Sequence, residues 1–205
     1  MGLTLDQIIT SLDWIAAREP AITRALERCG YPEPRIRTRG YRTLLRTIVG
    51  QQVSVAAASS VWGKLEAELG EEIHPAEVLA RDYDTLRACG LSRQKQGYAR
   101  SLCELVHAGE LDLENLPEDD EEAIADLTRI KGIGRWSAEI YLLFAEGRPD
   151  IWPAGDLAVM AGIGKILGLP ERPDEKATRL LAEGWRPHRG ALAIFTWHCY
   201  DNPAL

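Results

Sequence analysis

The chain of 205 residues is poor in the side chains that bind metals or cycle electrons, with four cysteines and four histidines. Cys29, Cys89, Cys103 and Cys199 are scattered without a C-x-x-C pair. That scatter excludes the spacings of zinc and iron–sulfur sites and leaves ordinary reduced thiols. His188 and His198 are too far apart to share adjacent turns of one helix, so a metal enzyme is not expected. No stretch reaches the roughly 18 to 20 consecutive apolar residues of a membrane span. The start, "MGLTLDQIITSLDW", lacks a basic flank and a signal-peptide apolar run, and a cytoplasmic protein is the expectation. Gly2 is not followed by Ser or Thr at position 6, which is Asp6, so myristoylation is excluded. No turn flanked by alternating strands occurs, and the fold class expected is all-α. "GIGKILG" at 162–168 follows no strand pattern and has Ile166 after Lys165, so it is neither a dinucleotide fingerprint nor a P-loop. It reads as a glycine-softened helix.

The hydrophobic fraction of 45% supports one larger domain or two small lobes. The net charge of −7 argues against nonspecific attraction to nucleic acid, but its distribution is uneven. Acids gather in "DLENLPEDDEE" at 112–122, whereas Arg35, Arg37, Arg39, Arg42 and Arg46 fall within "PRIRTRGYRTLLR", a candidate phosphate-binding face.

Apolar residues recur at helical intervals. Leu44, Leu45, Ile48 and Val49 precede a stop at Gly50, and Ser54 can cap a helix bearing Val61, Leu65 and Leu69. "DYDTLRACG" reads as a short helix closed by Gly90. From Ser92 another helix carries Tyr98, Leu102, Leu105 and Val106 on one stripe. "LPEDDEEAIADLTRIKG" reads as a helix starting at Pro117, with acids in its first turn and Arg129 and Lys131 at its end, matching the dipole.

A helix ending near Ile130, the turn "KGIG" and a new helix from Arg135 form a helix-hairpin-helix unit. Gly132 and Gly134 permit positive φ and close backbone approach. The first N–H groups of the second helix lack internal partners and attract phosphate, with Ile130 and Ile133 as anchors beneath. Taken by itself, such a hairpin is equally well a glycine-capped corner between two helices.

The whole of "LTRIKGIGRWSAEIYLLFAEGRPDIWPAGDLAV" at 127–159 resembles the helix-hairpin-helix DNA glycosylase superfamily. "LLRTIVGQQVSVAAA" at 44–58, "WRPHRGALAIFTW" at 185–197 and "CGLSRQKQGYARSL" at 89–102 resemble its 3-methyladenine DNA glycosylase II branch. The resemblance spans about residues 40 to 200. It implies the compact form without the N-terminal sheet domain of two-domain bacterial enzymes. In that form, two helical lobes flank an active-site cleft: residues 1–36 with 140–205 carrying the catalytic acid, and residues 37–139 ending in the hairpin.

The resemblance also implies roles. Trp136 stands where bifunctional members carry a lysine nucleophile, and an indole cannot form a Schiff base, so a monofunctional glycosylase using water is implied. Trp136 and Trp197 would face a cationic alkylated purine, worth about 1–2 kcal/mol by cation–π attraction. Tyr141 joins this pocket beside Ile140, which replaces a family tyrosine. Asp156 in "WPAGDLAV", in a loop entering a helix, is the implied catalytic carboxylate, with Asp150 its rival. It would stabilise the positive charge that develops on the sugar and orient or deprotonate water.

Gln51, Gln52 and Val53 lie in the wedge loop, with Gln52 where two-domain enzymes use leucine. Lys131, Gly132, Ile133, Gly134, Arg135 and Ser137 would contact DNA backbone, with Arg93 and Lys95 as further candidates. Carbonyls of Thr128, Ile130 and Ile133 would hold a structural Na+ or K+; no cofactor is required. The expected partner is damaged double-stranded DNA, met by a monomer with no membrane association. Two alternatives stand beside this reading: a glycosylase for another damaged base such as hypoxanthine or uracil, and a noncatalytic DNA-binding protein.

Overall fold

The computed structural model describes residues 2–200 and 202. Among them the chain is all-helical, as the sequence pattern predicts, and no helix is long and apolar enough to cross a membrane. It divides into two compact units, residues 1–37 with 139–205 and residues 38–138.

The first unit holds α1 (Leu5–Ala16), α2 (Pro20–Cys29), α10 (Leu157–Leu167), α11 (Glu175–Leu181) and α12 (Arg189–Tyr200). Thr4 caps α1 through a reciprocal box with Gln7. The α1 side chains Ile8, Leu12 and Ile15 are buried, as are Leu192 to Phe195 of α12. α12 packs on α1, α2 and α10. At its crossing with α10 the backbones come close, because a Cβ on Gly162 would lie 2.6 Å from Thr196 Cγ2 and 2.8 Å from the Thr196 carbonyl oxygen. A Cβ on Gly164 would meet Pro173 at 3.0 Å. Gly162 and Gly164 of "GIGKILG" therefore serve close packing, while Gly168 ends α10 as its left-handed cap.

The second unit contains α3 (Tyr41–Gly50), α4 (Val55–Leu69), α5 (Pro75–Ala80), α6 (Tyr83–Ala88), α7 (Arg93–His107) and α8 (Asp120–Thr128). α9 (Arg135–Tyr141) follows the hairpin and runs into a wide helical turn, Leu142–Glu146. α7 is the organising element, packed on α3, α5 and α6. Its buried stripe is Ala99, Leu102 and Cys103, while Tyr98, Leu105 and Val106 are half-buried, so the core-facing side is rotated from the expected one. In α4 the buried positions are Trp62, Leu65 and Leu69, with Val61 at the margin. Ser54 and Ser92 cap α4 and α7 by accepting the amides of Ala57 and Lys95.

α8 starts later than its proline suggests. Asp119 is the cap, accepting the Glu121 and Glu122 amides, and the helix ends at Thr128. A side-chain acceptor at Asp119 satisfies the first-turn donors that Pro117 cannot reach. Arg129 and Lys131 consequently stand beyond the last turn.

Gly162→Ala is expected to destabilise the fold by roughly 1–3 kcal/mol through overpacking, lowering Tm by about 3–10 °C. Gly63→Ala, on an exposed face of α4 with nothing within 4 Å of the added carbon, should raise stability by up to about 1 kcal/mol. Thermal unfolding of the two variants checks both signs.

Candidate active site

The sequence "PAGDLAV" builds a loop that ends in a helix cap. Asp156 is the N-cap of α10, and its Oδ1 accepts the amides of Ala158 and Val159, both at 2.9 Å. The same oxygen accepts the Trp197 indole N–H at 3.0 Å from α12. Three donors thus fix the plane of a half-buried carboxylate at the positive end of a ten-residue-plus helix dipole. Trp197 is 8% exposed, and its ring tilts against Phe144 with centroids 5.6 Å apart. The structure therefore uses the edge of Trp197 to hold Asp156, whereas the sequence reading offers its face to a base.

Asp150 has a different task. The Arg189 guanidinium grips it with Nε and Nη2 at 2.8 Å each, and Arg186 Nη1 adds a contact at 2.9 Å. With Gly190 N–H donating to the Pro149 carbonyl at 2.7 Å, these bonds anchor the start of α12. Asp150 is thus engaged by two guanidinium groups, unlike Asp156 with its amide and indole donors. Burial pushes the Cys103 thiol up to about 11 and raises those of Cys89 and Cys199 as well.

In the second unit the hairpin is held from below. Gly132 has φ +83°, and a Cβ there would fall 2.2 Å from the Tyr98 ring, so glycine is required twice over. Gly134 has neither positive φ nor a crowding neighbour, which corrects the expectation that both glycines serve the turn in one way. Lys131 N–H donates to Ser101 Oγ at 3.1 Å, and buried Ile133 donates to the Ile130 carbonyl at 3.0 Å. Among the described residues, the amides of Gly132 and Gly134 have no hydrogen-bond partner. Ser137 is half-buried on the first turn of α9.

Beside the hairpin lies the 51–54 turn. Gln52 adopts φ +54° and is exposed with Val53, whereas Gln51 Nε2 donates to the Gly132 carbonyl at 2.8 Å. Trp136 is 49% exposed, and Tyr141 is buried at 3%. That burial sets Tyr141 among core residues.

Several cations anticipated as phosphate contacts are engaged within the protein. Arg135 forms a forked pair with Glu121, and Lys95 donates to the Val49 carbonyl at 2.8 Å, with burial lowering its pKa. Arg42 pairs with Glu66, Arg39 reaches the Glu114 carbonyl, and Arg46 lies over the Trp62 ring. The bonds from Trp197 to Asp156 and from Gln51 to Gly132 were hidden in the sequence, because their partners are 41 and 81 residues apart.

Asp150→Asn should cost about 3 kcal/mol, because it strips the charge from a largely buried ion pair. Asp156→Asn keeps an oxygen for all three donors and should stay within about 1 kcal/mol of the parent. Denaturant unfolding of the two variants separates the structural aspartate from the site aspartate.

The family profile described as "HhH-GPD superfamily base excision DNA repair protein" matches residues 45–187. DNA-3-methyladenine glycosylase 1 of Schizosaccharomyces pombe is 32% identical over 161 residues, covering 77% of this chain and 71% of that protein. The crystal structure of DNA-3-methyladenine glycosidase from Bacillus halodurans superposes with a TM-score of 0.86 at 27% identity, covering 95% of this chain and 89% of that one. The S. pombe 3-methyladenine DNA glycosylase in complex with abasic DNA gives a TM-score of 0.81 at 27% identity, with 96% and 98% covered. A match across most of the chain, joined to the hairpin and the capped aspartate, places this protein in the HhH-GPD superfamily of base excision DNA repair proteins.

Proposed function

We propose that the chain is a base-excision-repair DNA glycosylase that hydrolyses the N-glycosidic bond of alkylated purines, of the 3-methyladenine and 7-methylguanine type, in duplex DNA. The observation that carries this reading is the Asp156 carboxylate, held by two α10 amides and the Trp197 indole N–H. The relatives support it: one is named a DNA-3-methyladenine glycosylase, and another is described in complex with abasic DNA, the product of base removal.

Cleavage builds positive charge on the sugar as the base departs. A carboxylate already oriented by three donors stabilises that charge without reorganising, and it orients or deprotonates the attacking water. Trp197 acts through Asp156 as a positioning residue. Trp136, exposed and aromatic, offers a face to a cationic base, where alkylation has placed a positive charge on the ring. An indole at this position cannot attack the sugar to form a Schiff base, so strand cleavage does not accompany base release.

The target nucleotide must leave the stack, at a cost of a few kcal/mol. Gln52, exposed and held in a left-handed conformation, fills the gap, with Val53 beside it. The Gly132 and Gly134 amides grip backbone phosphate, supported by Lys131, and such contacts position the enzyme without reading sequence. The carbonyls of Thr128 and Ile130 lie at the C-terminal end of α8, where partial negative charge collects. With Ile133 they form an all-oxygen donor set that suits Na+ or K+. Bound there, the ion would add positive charge beside the phosphate. No cofactor enters the hydrolysis itself.

Wild type is expected to release 3-methyladenine from methylated duplex DNA, with strands breaking only after alkali. Asp156→Asn should lose on the order of a hundredfold or more in rate while retaining DNA affinity. Chromatography of released bases and gel analysis before and after alkali decide it; full activity of Asp156→Asn would sink the mechanism.

A further inference from the structure

Gln51 sits at the C-terminal boundary of α3, with its own N–H on the Ile48 carbonyl at 3.3 Å. The Nε2 amide donates to the Gly132 carbonyl at 2.8 Å, while Gln52 and Val53 stay exposed. The acceptor is an unusually rigid point. Gly132 rests on the Tyr98 ring, Tyr98 OH takes a bond from Gln94 Nε2, and the neighbouring amides of Lys131 and Ile133 are tied to Ser101 and Ile130.

The turn beyond Gln51 is fixed from both sides. Lys95 Nζ holds the Val49 carbonyl, and Ser54 caps α4 through the Ala57 amide. Between these anchors Gln52 occupies φ +54°, a region that a non-glycine residue keeps only where its surroundings over-determine it. The Gln51 bond is the strut that ties this strained residue to the hairpin. A side chain whose donor is spent on the protein is poorly placed to be a DNA contact in its own right, as the sequence reading had it.

We propose that Gln51 is a positioning residue that couples the hairpin to the wedge loop, so that a hairpin seated on the DNA backbone holds Gln52 in the conformation that enters the base stack. The inference rests on the glycosylase reading for its DNA and its wedge, and it adds the mechanical link between the two loops. The hairpin's open amides at Gly132 and Gly134 belong to the peptides flanking the carbonyl that Gln51 holds. Phosphate binding and loop geometry therefore share one short segment of backbone.

The test uses the full chain with a duplex carrying a tetrahydrofuran abasic analogue next to 2-aminopurine, whose fluorescence rises when it is unstacked. In Gln51→Leu, which keeps the bulk near the backbone and loses the donor, DNA affinity should remain within about twofold of wild type. The 2-aminopurine signal at saturating protein should fall, the equilibrium constant for the inserted wedge dropping by about fivefold, the factor associated with one lost hydrogen bond. Single-turnover release of 3-methyladenine should fall by the same factor. In a Gln52→Ala background, where no wedge remains to be positioned, Gln51→Leu should add no further loss, a non-additivity expected only of coupled residues.

An affinity loss with an unchanged signal at saturation would make Gln51 a direct DNA contact and overturn the proposal. Independent, additive losses would reduce it to general structural support and overturn it equally. If wild type frees no base from methylated DNA yet the fluorescence pattern holds, the glycosylase reading falls and the coupling stands.

Discussion

α10 and α12 cross with no room for a side chain between them at Gly162, and the geometry of the candidate site descends from that contact. Thr196 fills the gap, so the next residue of α12, Trp197, is carried toward the start of α10. There Asp156 is already turned inward by its duty as the helix cap. Cap and crossing together bring an indole N–H and a carboxylate oxygen to 3.0 Å. The far end of the arrangement is secured by Arg189 on Asp150 and by Gly190 against Pro149. Two aspartates six residues apart thus take different kinds of partner. One is saturated by guanidinium groups; the other is oriented by neutral donors.

An acidic chain that acts on DNA has an apparent electrostatic problem, since phosphates repel a net charge of −7. On the proposed reading, backbone amides answer it. Much of the positive side-chain charge is spent internally, on Glu66, Glu110, Glu121 and Asp150 among others. What the hairpin presents is the N–H groups of Gly132 and Gly134, whose partial charges cost nothing in net charge. They are held in place by Tyr98, Ser101 and Gln51 from neighbouring segments.

The helical character of the chain was legible because it is local: apolar spacing, capping serines and the absence of alternating strands all act within a few residues. Ser54, Ser92 and the aspartate before "LAV" announced their caps through side-chain acceptors three residues or fewer from the donors they satisfy. Where local signals compete, the stronger acceptor or the tertiary contact decides. Pro117 looked like a helix start, but Asp119 offered the amides an acceptor and won. The buried stripe on α7 lies about one position from the one its apolar spacing suggests, because burial there depends on which side meets α3 and α5. Gly162 carries no local clue to Thr196, which lies 34 residues along the chain.

By itself the sequence determined the all-helical class, the existence of the hairpin and the membership of its segments in a repair superfamily, since each is written in short-range pattern or in motifs of fixed spacing. Only the tertiary structure decided which aspartate is held by neutral donors, that Trp197 presents its edge to Asp156, that Tyr141 is buried and that Gln51 reaches the hairpin. Hydrogen bonds and steric contacts between residues tens of positions apart depend on how helices cross. A crossing is the joint result of many side chains, none of which encodes it alone.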